Sequence, residues 1–388
     1  MSPGPFVSFV PPPRLLMGPG PSGVDPRVLA AMARAPLGHL DPAFTSLMTD
    51  VAAMLRQVFG TGNPLTLAIS GTGTAGMQAA LANVVEPGDA VVVGVCGYFG
   101  ARMAEMARRL GAVVKVVEAP WGTPVPAGAM EAALRAIDGP VKVVAIVHAE
   151  TSTGVRQEIE AIGRLARARG ALLIVDAVTS LGGLPLSVDQ DGIDLCYSGT
   201  QKCVGAPPGM APLTAGPRAV EAMKQRRSPC TSFNLDLLQL ESYWGAAKSY
   251  HHTAPINAVY ALHEALGLLL EEGLEARHAR HRRAHEQLAR GMEGLGLEFL
   301  VAPADRLPML NALRVPDGVD DGAVRGRLLT EHNIEIGGGL GPLAGKVWRV
   351  GLMGYSAREE NVARFLTAMR IILGAPRMSR PRKPAPTA

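Results

Sequence analysis

The chain has 388 residues, among them 45 glycines and 31 prolines, with 47% hydrophobic and 19% charged residues and a formal net charge of +4. So large an apolar share supports a core and excludes low-complexity disorder, and the lack of a three-residue glycine period excludes collagen. At roughly 100–200 residues per domain the length fits two domains, or one large domain with an appendage, and the scattered basic residues argue against a nucleic-acid surface.

The N-terminus carries Pro3, Pro5, Pro11, Pro12 and Pro13 and no basic side chain before Arg14, so it reads as an extended arm and lacks the apolar core of a signal peptide. Apolar runs follow at 65–69, 90–95, 141–147, 171–175 and 193–197. They are continuous rather than alternating, the pattern of strands buried on both faces in a mostly parallel sheet. Segments 74–84, 101–110 and 156–169 between them have the length of crossover helices. Residues 61–85 lack charge, but Asn63, Pro64, Gly71, Gly73, Gly76 and Gln78 interrupt them, so they read as strand, loop and buried helix and not as a membrane span.

Beyond residue 256 the pattern becomes helical, over 257–270 and then 273–295, followed by strand-like segments at 311–315 and 347–352. Arg277, Arg280, Arg282 and Arg283, interleaved with His278, His281 and His285, read as a solvated helix face balanced by Glu271, Glu272 and Glu275. The three imidazoles share a helical face, yet the arginines beside them would repel a cation, and no metal site is expected. The organisation expected is an arm over 1–14, a large domain over 15–272, a small α/β domain over 273–375 and a disordered, proline-rich tail over 376–388. Cys96, Cys196, Cys203 and Cys230 form no Cys-x-x-Cys pair, so reduced thiols and a cytoplasmic location are the expectation.

A parallel α/β sheet takes its ligand outside the carboxyl ends of its strands. Those ends carry Gly71-Thr72-Gly73-Thr74-Ala75-Gly76, then Gly97-Tyr98-Phe99-Gly100, then His148 to Gly154, then Asp176, then Gln201-Lys202. The first matches the dinucleotide pattern Gly-x-Gly-x-x-Gly, which would make the chain an NAD-dependent dehydrogenase. That reading is disfavoured, because the next strand ends in Val95-Cys96-Gly97 with no acid for the ribose hydroxyls. A phosphate site remains, since free N–H groups at a helix N-terminus and the hydroxyls of Thr72 and Thr74 complement a dianion.

A carboxylate at Asp176, at the top of a buried strand, is costly unless a cation meets it, although a helix cap would also explain it. Lys202 lies between an apolar strand and the uncharged segment 203–216, where a buried lysine loses its proton readily and becomes nucleophilic. Phosphate cradle, strand-end aspartate and buried lysine are the parts that a pyridoxal phosphate site requires; a non-catalytic binding protein would not need the lysine.

The chain resembles the class V pyridoxal-phosphate aminotransferases, specifically the alanine–glyoxylate and serine–pyruvate group, from Leu15 to about Leu373. The likeness rests on Met17-Gly18-Pro19-Gly20-Pro21-Ser22, Gly38-His39, Glu86-Pro87-Gly88-Asp89, Ser152-Thr153-Gly154, Val175-Asp176 and Leu181-Gly182-Gly183. It continues through Gln201-Lys202, Ala206-Pro207-Pro208-Gly209, Tyr250-His251-His252-Thr253, Gly337 to Gly341 and Gly345-Lys346-Val347-Trp348-Arg349. The resemblance implies an aspartate-aminotransferase-like fold with a mostly parallel seven-stranded sheet, pyridoxal 5′-phosphate as cofactor, and a homodimer with shared sites.

It makes Lys202 the Schiff-base lysine and Asp176 the partner of the pyridine nitrogen. Thr72, Gly73, Thr74 and Gln201 would hold the phosphate, Phe99 would stack on the ring and Thr151 would bond its phenolic oxygen. Tyr250 and Thr253 would reach the neighbouring subunit's phosphate; Thr253 also reads as an N-cap for a helix near Pro255. Arg349 would bind the substrate carboxylate, with Gly20 lining a tight pocket. Familiar members carry His at the position of Thr74, Trp at Phe99 and Ser at Thr151. The activity implied is transamination of alanine or serine with glyoxylate or pyruvate, with ureidoglycine–glyoxylate and pyridoxamine–pyruvate aminotransferases as alternatives. Cysteine desulfurases share the fold but have His before the lysine, where this chain has Gln201.

Overall fold

The computed structural model describes residues 7–374. The expected tail over 376–388 and the first six residues of the arm therefore lie outside the described residues. Residues 7–14 form neither helix nor strand, and Val7, Phe9 and Val10 are exposed.

Seven strands form the main sheet, in the order Leu65–Ser70, Met210–Ala215, Leu195–Tyr197, Leu172–Asp176, Val143–Val147, Ala90–Val95, Val113–Glu118. Only Met210–Ala215 runs antiparallel to its neighbours. The continuous apolar runs are buried along their length, and helices Pro42–Phe59, Gly73–Ala82, Tyr98–Arg109 and Ile256–Glu272 pack their apolar positions into the same core. Each Val, Leu or Ile so enclosed contributes about 1.5–3 kcal/mol over an exposed one.

Two strands did not announce themselves. Val113–Glu118 is the sheet edge and includes the charged Lys115 and Glu118, so its residues are mostly exposed or half-exposed. Met210–Ala215 contains Pro212, ordinarily a sign against an internal strand. Here the ladder with Leu195–Tyr197 stops at Leu213, so proline's missing N–H falls just past it.

A second apolar cluster gathers Leu288, Met292, Leu313, Trp348, Val350 and Phe365 around an antiparallel sheet of Leu310–Arg314, Val347–Gly351 and Gly337–Gly338. Leu15 and Leu16, expected in the larger domain, instead pair in parallel with Ile334 and Glu335, and Met17 is buried in this second cluster. Residues 15–17 and the C-terminal region thus share a core. We propose Gly273, between helices Ile256–Glu272 and Leu274–Glu293, as the boundary of the smaller domain. The first of these helices starts at Pro255 with no side-chain cap, so the capping role expected of Thr253 is not found.

Candidate active site

A cavity of about 150 Å³ opens at the carboxyl ends of the strands. Thr72, Gly73, Thr74 and Gln201 line one part of it, and Phe99, Thr151, Asp176 and Lys202 the rest. At the first end, Thr72 begins helix Gly73–Ala82 without a side-chain cap, which leaves first-turn N–H groups to an anion. A Cβ at Gly73 would stand 2.8 Å from Val178 Cγ2, so glycine is what lets the helix start this close to the neighbouring loop. Gln201 Oε1 is buried with no partner; turned over, the amide would offer its NH₂ to the same anion.

Lys202 follows strand Leu195–Tyr197 and is 8% exposed, with Nζ donating to the Pro19 carbonyl. Burial first, and then the charge of Arg349, push the amine down to about 8. Gly20 crosses directly above it. Its φ of +104° belongs to glycine, and a Cβ there would lie 2.5 Å from Nζ.

Asp176 ends its strand fully inside, accepting from Val178 N at 2.8 Å and from Tyr197 Oη at 2.8 Å. Burial pushes its carboxyl up to about 6 against those two hydrogen bonds; Glu150 adds to the rise and Lys202 opposes it. Such a carboxylate calls for a cation, and a protonated ring nitrogen would meet it.

Phe99 is held by an acid that sequence reading passed over. Glu150, fully buried, accepts from Phe99 N at 3.1 Å and Gly100 N at 3.3 Å, and from Ser152 N and Oγ at 3.1 and 2.6 Å. Burial raises its carboxyl, and these four donors pull it back. Gly97 is required here, because a Cβ would approach Glu150 Cγ to 2.5 Å.

Arg349 lies in strand Val347–Gly351, donating from Nε to Gly338 O at 2.7 Å and from Nη1 to Thr151 O at 3.2 Å. Burial lowers it to about 10, with Glu150 opposing. With Gly20 it stands beside the cavity and outside its lining, whereas Tyr250 and Thr253 are exposed and away from it. Tyr250 packs instead on His39, ring centroids 5.2 Å apart.

The basic run is a solvated face only in part: Arg282 and Arg283 are exposed and Glu272 does balance its neighbours, but Arg277 and Arg280 turn inward. Arg277 is buried, donating to Gly182 O at 3.2 Å, Cys203 O at 2.6 Å and Glu272 at 2.8 Å. Arg280 bonds Glu272 through two nitrogens and reaches the carbonyls of Gly354 and Ala357. Although burial raises it, Glu272 is held at about 2 by the hydrogen bonds and charges of these arginines. His281 Nδ1 contacts Arg277 O and its Nε2 accepts from Gly354 N, while His285 bonds Asn311. The face is therefore a clamp on the backbone next to Lys202. Arg277→Met should lower stability by about 2–3 kcal/mol, since it strands buried acceptors and half of an ion pair. A urea midpoint unchanged from the parent would refute the clamp.

Arg102 and Tyr197 were also missed, although one lies three residues beyond Phe99 on its helix and the other ends the strand before Lys202. Among the described residues no group of His, Cys, Asp and Glu could hold a metal, and no helix is long and apolar enough to cross a membrane.

The sheet order and the cavity at its carboxyl edge are those of the pyridoxal-phosphate aminotransferase fold, and the buried Asp176, the buried Lys202 and the uncapped helix start at Thr72 fit pyridoxal 5′-phosphate as the cofactor. The chain belongs to the class-V aminotransferase family, whose model matches residues 20–365, and it is an aminotransferase. It is 41% identical over 378 residues to the (S)-ureidoglycine–glyoxylate transaminase of Bacillus subtilis, covering 93% of this chain and 90% of the relative. The solved alanine–glyoxylate aminotransferase from Nostoc sp. is 50% identical with a TM-score of 0.93, covering 95% of this chain and 98% of that one. Pyridoxamine–pyruvate aminotransferase from Mesorhizobium loti superposes with a TM-score of 0.88 at 30% identity, covering 93% and 92% of the two chains.

Proposed function

We propose that this enzyme moves the amino group of alanine or serine to glyoxylate or pyruvate. The observation that carries the small-substrate reading is the backbone of Gly20, packed so closely on Lys202 that no side chain fits between them. A close backbone wall beside the lysine favours a donor with a small side chain. Arg349, buried and held in line by Gly338 O and Thr151 O, binds the substrate carboxylate through the guanidinium positions that remain free.

Lys202 would hold the cofactor covalently, and its amine, once free, would take the substrate's α-proton and later return one. Asp176, oriented by Val178 N and Tyr197 Oη, keeps the ring nitrogen protonated. Thr72, Gly73, Thr74 and Gln201 would hold the phosphate, Phe99 would cover the ring and Thr151 would bond its phenolic oxygen. When bound, the cofactor supplies an electron-withdrawing ring and a carbonyl that carries the amino group between substrates.

The exposure of Tyr250 and Thr253, away from their own cavity, supports a homodimer in which they reach the partner's phosphate. Four unpaired cysteines, Cys96, Cys196, Cys203 and Cys230, support a cytoplasmic location. The donor is tested by mixing the yellow holoenzyme with alanine, serine, ureidoglycine or pyridoxamine and following loss of the bound aldehyde's colour. Alanine or serine should discharge it. No response to either, with a response to ureidoglycine or pyridoxamine, would replace this reading by that of the corresponding relative.

A further inference from the structure

The phosphate of the cofactor carries close to two negative charges at neutral pH. A helix N-terminus answers with about half an elementary charge, and Thr72, Thr74 and Gln201 are neutral. Lys202 is engaged at the opposite end, by the ring. The anion end of the cavity is thus short of positive charge by more than one unit unless another residue provides it.

We propose that Arg102 is the phosphate's counter-cation in this enzyme. Among the described residues lining the cavity, Lys202 and Arg102 are the cations. Arg102 stands on helix Tyr98–Arg109, and its Nη1 donates to Thr74 Oγ1 at 3.1 Å, which places the guanidinium beside the first turn of the phosphate-binding helix. Its guanidinium carbon lies 5.0 Å from the centre of the Phe99 ring and 5.1 Å from that of Tyr98, so the two aromatics hold it in place. Within hydrogen-bond reach it has a hydroxyl and, among the described residues, no carboxylate. A guanidinium pre-positioned by two rings and a threonine, and left without an acid, is suited to a phosphate that arrives from outside.

Thr74 contributes to this by being short. Its hydroxyl lets the arginine reach over the helix start, and a bulkier side chain would occupy that path. Arg102 is thus a binding residue for the phosphate and, through Phe99, a brace for the ring's cover.

The proposal rests on the cofactor reading, and a comparison of two ligands separates their failures. Full-length protein stripped of cofactor is titrated with pyridoxal phosphate and with phosphate-free pyridoxal, following the absorbance of the bound aldehyde, for the parent, Arg102→Gln and Arg102→Lys. Arg102→Gln should weaken pyridoxal phosphate by about 10–100-fold, the range of a charge-assisted hydrogen bond, and leave pyridoxal within about threefold. Arg102→Lys should recover part of the loss, and added salt should narrow the gap between parent and Arg102→Gln. Pyridoxal phosphate binding unaffected by Arg102→Gln overturns the proposal, as does an equal loss for both ligands, which would assign Arg102 to ring packing alone. Failure of the parent to bind either ligand would instead defeat the cofactor reading.

Discussion

Lys202→Ala is expected to lose at least about 10³-fold in the first half-reaction, because under the proposed function one substitution removes both the covalent anchor and the group that moves the α-proton. Borohydride should fix the cofactor to Lys202 in the parent and leave the variant unlabelled. The low basicity of this amine makes the prediction sharper. A base lowered to about 8 is increasingly neutral as pH rises through 8, whereas an ordinary lysine remains charged up to about 10.5. Capture of the cofactor by stripped protein should therefore accelerate through pH 7–8 and then level off. Acceleration continuing towards 10.5, or labelling at another lysine, would show that Lys202 is not the reacting amine.

Asp176→Asn should retain the fold and lose about 10²–10³-fold in turnover, the loss seen when one preorganised electrostatic partner is removed. Asparagine can still accept from Val178 N through its amide oxygen and donate its NH₂ to Tyr197 Oη, whose hydroxyl can turn to accept it, so the geometry survives while the negative charge does not. The parent's carboxyl, raised to about 6 by burial without the cofactor, should fall once a ring cation faces it, because an opposite charge favours the ionised form. A cofactor methylated on the ring nitrogen carries a permanent positive charge and should restore much of the variant's rate. If the variant stays slow with that analogue, the aspartate acts by some means other than holding the nitrogen protonated.

Most of the fold was legible because five strands of the main sheet are buried on both faces, and burial writes itself as unbroken apolar sequence. The two strands that escaped lack that signature: one is an exposed edge, the other carries a proline just past the end of its ladder with Leu195–Tyr197. The strand-end candidates Asp176 and Lys202, which the structure gathers at one cavity, stood out for the same reason, since charge beside an apolar run is conspicuous. Glu150 was overlooked inside a polar loop, where an acid is unremarkable, and only its four donors disclose its purpose. The misreading of Arg277 is the converse case. A local run of charge resembles a solvated face, and nothing nearby in sequence reveals that Gly182 and Cys203 offer their carbonyls to it.

The pairing of Leu15 and Leu16 with Ile334 and Glu335 has a consequence for biosynthesis. The stretch Gly18 to Gly20 is synthesised long before the strand Ile334–Glu335 that anchors it. Until then the lysine-bearing loop can be complete while its roof is missing. Closing so long a loop is slow relative to local folding, so a nascent or truncated chain would present an open, solvent-flooded lysine. The Lys202 amine becomes enclosed only after Ile334 and Glu335 have been made, so its pocket closes late in the order in which these segments are synthesised.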